Sequence, residues 1–114
     1  MFYFEKLIVW QKAALYATSL IEISNGLPQR YQFSFADQLR RAALSVPSNI
    51  AEGSGRRTRK DQGGFYAVAL GSVYESVTIL KILVRTKFLN EPDLAKLFLA
   101  AEEICKILYS LSKY

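Results

Sequence analysis

Histidine is absent from this chain, and cysteine occurs once, at Cys105. Without histidine the chain lacks the commonest general base and the commonest metal ligand. A lone cysteine excludes an intramolecular disulfide and any cysteine-based zinc site. No transition-metal centre and no cofactor are therefore expected. The opening MFYFEKLIVWQK lacks the basic leader, long apolar core and small-residue cleavage site of a secretory signal. The most apolar stretch, Gln62 to Leu80, carries only Glu75 as a charge, but Gln, Ser, Thr, Tyr and three glycines interrupt it. It falls short of the run of about 18 apolar residues that a membrane span needs, and reads as a buried helix. These absences predict a cytoplasmic protein with no membrane partner.

What is present fits one folded domain, residues 1–114, with 51% hydrophobic and 22% charged residues. The net charge of +5 is unevenly spread. Between Arg40 and Lys60 six bases face one acid, Glu52, whereas elsewhere nine bases meet nine acids. A local excess of this kind marks an anion-facing surface.

Four helical patterns follow one another and none reads as a strand. The first spans about Lys6 to Ser24, with one apolar row at Leu7, Trp10, Ala14, Ala17 and Ile21 and another at Val9, Ala13, Tyr16 and Leu20. Two rows are wider than the roughly 100° stripe that a single core requires. Asn25-Gly26 supplies a left-handed stop and Pro28 lies just beyond it. The second pattern opens at Ser34 with Asp37 three residues on, a capping-box-like pair, and ends at Gly53 and Gly55. Its core face is Phe35, Leu39, Ala42, Ala43, Val46 and Ile50. The third runs from Thr58 to about Thr86 behind Phe65, Val68, Ala69, Ser72, Val73, Ser76, Ile79, Leu80 and Leu83. The fourth starts at Asn90, with Pro92 in its first turn and a stripe from Leu94 to Leu111. Short connections between helices of similar length predict an all-α, antiparallel up-down-up-down four-helix bundle. Pro47 lies in the interior of the second helix, where proline costs roughly 3 kcal/mol, so a kink there and support from outside the helix are expected.

Winding at about 100° per residue groups Gln38, Arg41, Ser45, Asn49 and Glu52 in one sector of helix two. That polar line is either a solvated edge or a half-buried hydrogen-bonded network. Helix three bears on the choice, because Glu75 is its sole charge over many turns. A carboxylate embedded in such a helix calls for a cation, and Arg41 faces the more suitable way; otherwise Glu75 reaches solvent past Gly71. Leu44, Pro47 and Ala51 form a further row too apolar to face water, so self-association is expected to cover it.

The segments LIVWQKA (Leu7–Ala13), QLRRAALSVPSNIAEGSGR (Gln38–Arg56) and ALGSVYES (Ala69–Ser76) give the chain a resemblance to a bacterial family. It resembles, along essentially its whole length, the four-helix-bundle proteins encoded within 23S rRNA intervening sequences, also called S23 ribosomal-protein-like. It is also similar to the accessory proteins of diversity-generating retroelements. The resemblance implies a ring-shaped assembly, typically a homopentamer, and in the retroelement proteins a basic barrel that binds nucleic acid and a reverse transcriptase. Gly63-Gly64 and Tyr66 depart from the bulkier or charged residues usual there, which predicts a looser first turn of helix three.

No catalytic constellation emerges. Cys105 sits on the core stripe of helix four, Glu52 and Glu75 serve packing or ion pairing, and GSGRR does not meet the GxxxxGK[ST] phosphate-loop pattern. The better candidate is the loop Gly53–Lys60, where glycines allow close approach to a phosphate and arginines supply forked donors. Arg40, Arg56, Arg57, Arg59 and Lys60 are the expected contacts to RNA or DNA backbone. Gln38, Arg41, Ser45, Asn49, Glu52 and Glu75 are the expected structural polar network. Tyr3, Tyr31 and Phe33 could offer stacking surfaces, but core or subunit contact is the simpler expectation. The competing reading is a protein-interaction scaffold whose arginines meet acidic partner surfaces.

Overall fold

The computed structural model describes residues 1–113. Among them are four α-helices and no strand: α1 (Ile8–Asn25), α2 (Phe35–Ser54), α3 (Arg59–Arg85) and α4 (Glu91–Leu111). A 3-10 turn, Tyr3–Lys6, precedes α1, and another, Gln29–Tyr31, lies between α1 and α2. The bundle is a rod of 43 × 24 × 23 Å. Gln38, Ser45 and Gly53 of α2 meet Glu75, Ser72 and Tyr66 of α3, so these two helices run in opposite directions.

Caps explain two of the helix starts. The Thr58 hydroxyl accepts from the Asp61 backbone N–H at 3.1 Å, and the Asn90 side chain accepts from that of Asp93 at 2.8 Å. The start of α2 differs from expectation. Ser34 makes no cap bond; its hydroxyl donates back to the Tyr31 carbonyl, and Asp37 pairs instead with Arg41. Helix ends differ as well. Gly26 has φ −85°, so α1 stops without a left-handed residue. The left-handed position is Lys87, φ 68°, just past α3. There the Phe88 N–H reaches the Leu83 carbonyl and the Lys87 N–H reaches that of Val84, a Schellman closure built on lysine instead of glycine.

Leu20, Leu39, Val46, Ile50, Val73, Leu80, Ile104 and Leu108 form the fully buried centre. On α1 the buried row is Val9, Ala13, Tyr16 and Leu20; Leu7, Trp10, Ala14 and Ile21 are half-buried beside it. Phe35 and Val68 point to solvent, while Ala36, next to Phe35, and Tyr66, next to the half-buried Phe65, take inward positions. The inward turn of Tyr66 places its ring 3.1 Å from where a Gly53 Cβ would lie, and the Phe65 Cβ would be at 2.8 Å. Glycine at 53 is thus what lets α2 and α3 touch at this level. Pro47 lies inside an unbroken α2, buried at a groove shared with Trp10, Ala14 and Ile21 of α1.

One polar bond crosses the core. The Tyr16 hydroxyl and Ser76 Oγ are 2.7 Å apart, and Ser76 donates to the Val73 carbonyl at 2.7 Å, so Tyr16 is the donor. Burial pushes the Tyr16 phenol up to about 12.

Helix α3 is more exposed than its composition suggests. It is long and apolar enough to cross a membrane, yet only 28% of its most apolar 18-residue stretch is buried in the bundle. Gly64, Ala67, Val68, Gly71, Tyr74, Thr78 and Ile82 line its exposed outer side. On the α1–α2 side Leu44 is 58% exposed above the Pro47 groove.

Candidate nucleic-acid interface

The loop from Gly53 to Lys60 closes α2 and opens α3. Its backbone is pinned by the Gln62 side chain, which donates to the Arg56 carbonyl at 3.0 Å, while the Ser54 hydroxyl donates one turn back within α2 to the Ala51 carbonyl at 2.7 Å. Arg56 is partly engaged. Its guanidinium lies 4.5 Å over the Phe65 ring and 3.8 Å from the Glu52 carboxylate. Arg57, Arg59 and Lys60 are exposed and have no carboxylate within ion-pair distance among the described residues. They surround the capped N-terminus of α3, whose dipole adds to the positive potential. Four of the five expected backbone contacts, Arg56, Arg57, Arg59 and Lys60, thus fall in one patch.

Arg40 does not join them. Its guanidinium donates to Gln32 twice, at the carbonyl (2.8 Å) and the side-chain oxygen (3.0 Å), and more weakly to Asn25 and Ser24. Gln32 in turn donates to the carbonyls of Ser24 and Leu27. The physical reason is the intervening loop, which leaves buried carbonyls after α1 that need donors. Arg40 is a structural residue.

Arg41 takes the opposite fate, and the expected Arg41–Glu75 pair is absent. Arg41 bonds Asp37 at 3.0 Å one turn back, with its side chain 81% exposed. Glu75 is exposed and accepts one long bond, 3.5 Å, from Gln38. The outer side of α3 is open, so Glu75 reaches water and needs no cation. The rest of the polar line divides. Asn49 donates to the Ser45 carbonyl and hydroxyl at 2.8 and 2.9 Å, and Ser72 donates across to the Ser45 hydroxyl at 2.8 Å. This centre is half-buried and networked, while Gln38, Arg41 and Glu52 lie on the solvated edge.

Cys105 is half-buried at the edge of the core, and burial, then the Glu102 carboxylate, push its thiol above the ordinary range. Raised in this way it is a poor nucleophile. Among the described residues no three His, Cys, Asp or Glu side chains gather at a spacing that would hold a metal ion.

The family model described as 23S rRNA-intervening sequence protein matches residues 5–110. The chain belongs to that family. A solved family member from Bacteroides thetaiotaomicron VPI-5482, described as a protein of unknown function from the S23 ribosomal protein family, superposes with a TM-score of 0.86. It is 24% identical and aligns over 94% of this chain and 100% of its own. At that identity the likeness is one of fold. No curated protein matches.

Sequence reasoning overlooked Gln32 and Gln62, the two glutamines that lock the loops before and after α2. Nothing about a lone glutamine in sequence signals such a role. It also overlooked Tyr16–Ser76, since only the fold brings residues sixty positions apart together.

Proposed function

We propose that this protein is a non-enzymatic, self-associating bundle that holds RNA or DNA backbone on its α2–α3 loop. The observation carrying this reading is the trio Arg57, Arg59 and Lys60: exposed, without acidic partners among the described residues, and mounted on a pinned loop at a helix N-terminus. Phosphate contacts of this type carry little sequence preference. Self-association draws on the sparsely charged outer side of α3 and on the groove under Leu44, which together leave too much apolar surface for an isolated copy. Repetition of the basic loop around an assembly, with the five copies implied by the family resemblance, would multiply its field. Chemistry has little to work with, because histidine is lacking and the single thiol is raised.

In the competing reading, a protein-interaction scaffold, the same exposed arginines meet acidic partner surfaces. Charge reversal separates the two. The double variant Arg57→Glu/Arg59→Glu should lose retention of a structured RNA on a filter while keeping its helical content and mass in solution. Unchanged RNA retention by this variant would remove the loop from the proposal. Loss of a protein partner with no RNA binding by the parent protein would favour the scaffold.

A further inference from the structure

The basic loop has aromatic neighbours. The 3-10 turn Tyr3–Lys6 packs against α1 and α2, and Glu5 pins it at both ends. The Phe2 N–H donates to the Glu5 carboxylate at 2.7 Å, and the Gln11 side chain donates to the Glu5 carbonyl at 2.9 Å. Held this way, Phe2 and Tyr3 remain 71% and 68% exposed. The Phe2 ring lies parallel to that of Phe4, 5.6 Å between centroids and 8° between planes, and Phe4 leans edge-on against Trp10. Phe2 is thus backed by protein on one face and open on the other.

This turn and the loop lie at the same end of the bundle. The turn packs against α2, where Phe4 shares a groove with Ser48 and Ala51, and two residues on Tyr66 packs over Gly53, three residues before Arg56. On the far side of the loop, Arg56 and Lys60 share a hollow with Ser112 at the end of α4. Next to Ser112, Lys113 sits 4.3 Å over the exposed ring of Tyr109. Basic side chains and aromatic rings therefore share this end of the molecule.

We infer that the nucleic acid held here is single-stranded, with phosphates on Arg57, Arg59 and Lys60 and unpaired bases stacked on Phe2 and Tyr3. The inference rests on the nucleic-acid reading above and narrows it to one substrate class. A duplex presents phosphates outward and keeps its bases stacked inside, so pinned surface rings gain nothing from it without unstacking. A single strand offers the π-face of every base, which lets such rings bind with little sequence preference.

Fluorescence anisotropy with a labelled strand of about 12 nucleotides, alone and annealed to its complement, tests this. The protein should bind the strand at least roughly tenfold more tightly than the duplex. Phe2→Ala/Tyr3→Ala should lower single-strand affinity roughly tenfold or more and leave duplex affinity unchanged, whereas Arg57→Ala/Arg59→Ala should weaken both. A Tyr3→Trp variant gives a readout that keeps the ring: its emission should be quenched by the strand and not by the duplex. Equal affinity for strand and duplex, or a ratio untouched by Phe2→Ala/Tyr3→Ala, would overturn the inference while leaving backbone binding intact. Absence of binding to either would overturn the nucleic-acid reading itself.

Discussion

The Arg40 guanidinium closes on Gln32 at both its carbonyl and its side-chain oxygen, 2.8 and 3.0 Å, while the adjacent Arg41 stands in solvent on Asp37. Two neighbouring arginines thus have unlike roles. Arg40→Ala should cost about 2 kcal/mol, because charged hydrogen bonds to half-buried acceptors are lost. Arg41→Ala should cost no more than about 0.5 kcal/mol, the usual worth of an exposed i,i+4 pair. Urea denaturation of both variants checks the contrast. Equal losses would mean that Arg41 has a partner beyond Asp37.

Tyr16 gives the fold a sensitivity to alkali. Its phenol is raised by burial from 10.0 in the unfolded chain to about 12 in the fold. Below pH 10 both states hold the proton, so its contribution is fully present; it is lost as pH rises toward about 12. Absorbance at the tyrosinate band should show Tyr16 ionising only with or after unfolding. Tyr16→Phe should remove the step above pH 10 and cost about 1 kcal/mol at neutral pH, since Ser76 keeps its bond to Val73.

The glycines divide by what a methyl group would meet. At Gly53 it would clash with Phe65 and Tyr66, so Gly53→Ala should destabilise by about 1–3 kcal/mol. At Gly71 nothing lies within 4 Å, so Gly71→Ala should stabilise the protomer by about 0.5–1 kcal/mol through helix propensity alone. Thermal melts of the two variants should move in opposite directions.

Gly71 also lies at the middle of the open side of α3, which makes it a probe of assembly. Gly71→Trp should leave helical content unchanged and reduce the sedimenting mass to that of the protomer, 12.9 kDa. If the parent protein itself sediments at the protomer mass in dilute buffer, self-association is excluded.

Helix existence, order and most core positions were legible because period and caps act locally. Thr58 and Asn90, the starts read from the sequence, cap the backbone N–H groups of Asp61 and Asp93. Errors arose where the outcome depends on distant groups. Ser34 carries a cap pattern, but the preceding turn draws its hydroxyl to Tyr31. Phe35 and Val68 are as apolar as their neighbours, and only packing decides that Ala36 and Tyr66 turn inward. Lys87 adopts a left-handed conformation that lysine gives no sign of, set by the turn between α3 and α4. Within the site, the basic loop was visible as a charge cluster. The fate of Arg40 was not, since it depends on carbonyls exposed by a loop eight residues earlier in the chain.

Salt dependence tests the central claim most directly. Affinity for a single strand, measured from low to moderate ionic strength, should fall on a log–log plot with a slope of about −0.7 for each phosphate neutralised. Three free cations per engaged loop predict a slope near −2, reduced by about 1.4 in Arg57→Ala/Arg59→Ala. Affinity indifferent to salt, or no binding at low ionic strength, would contradict the account.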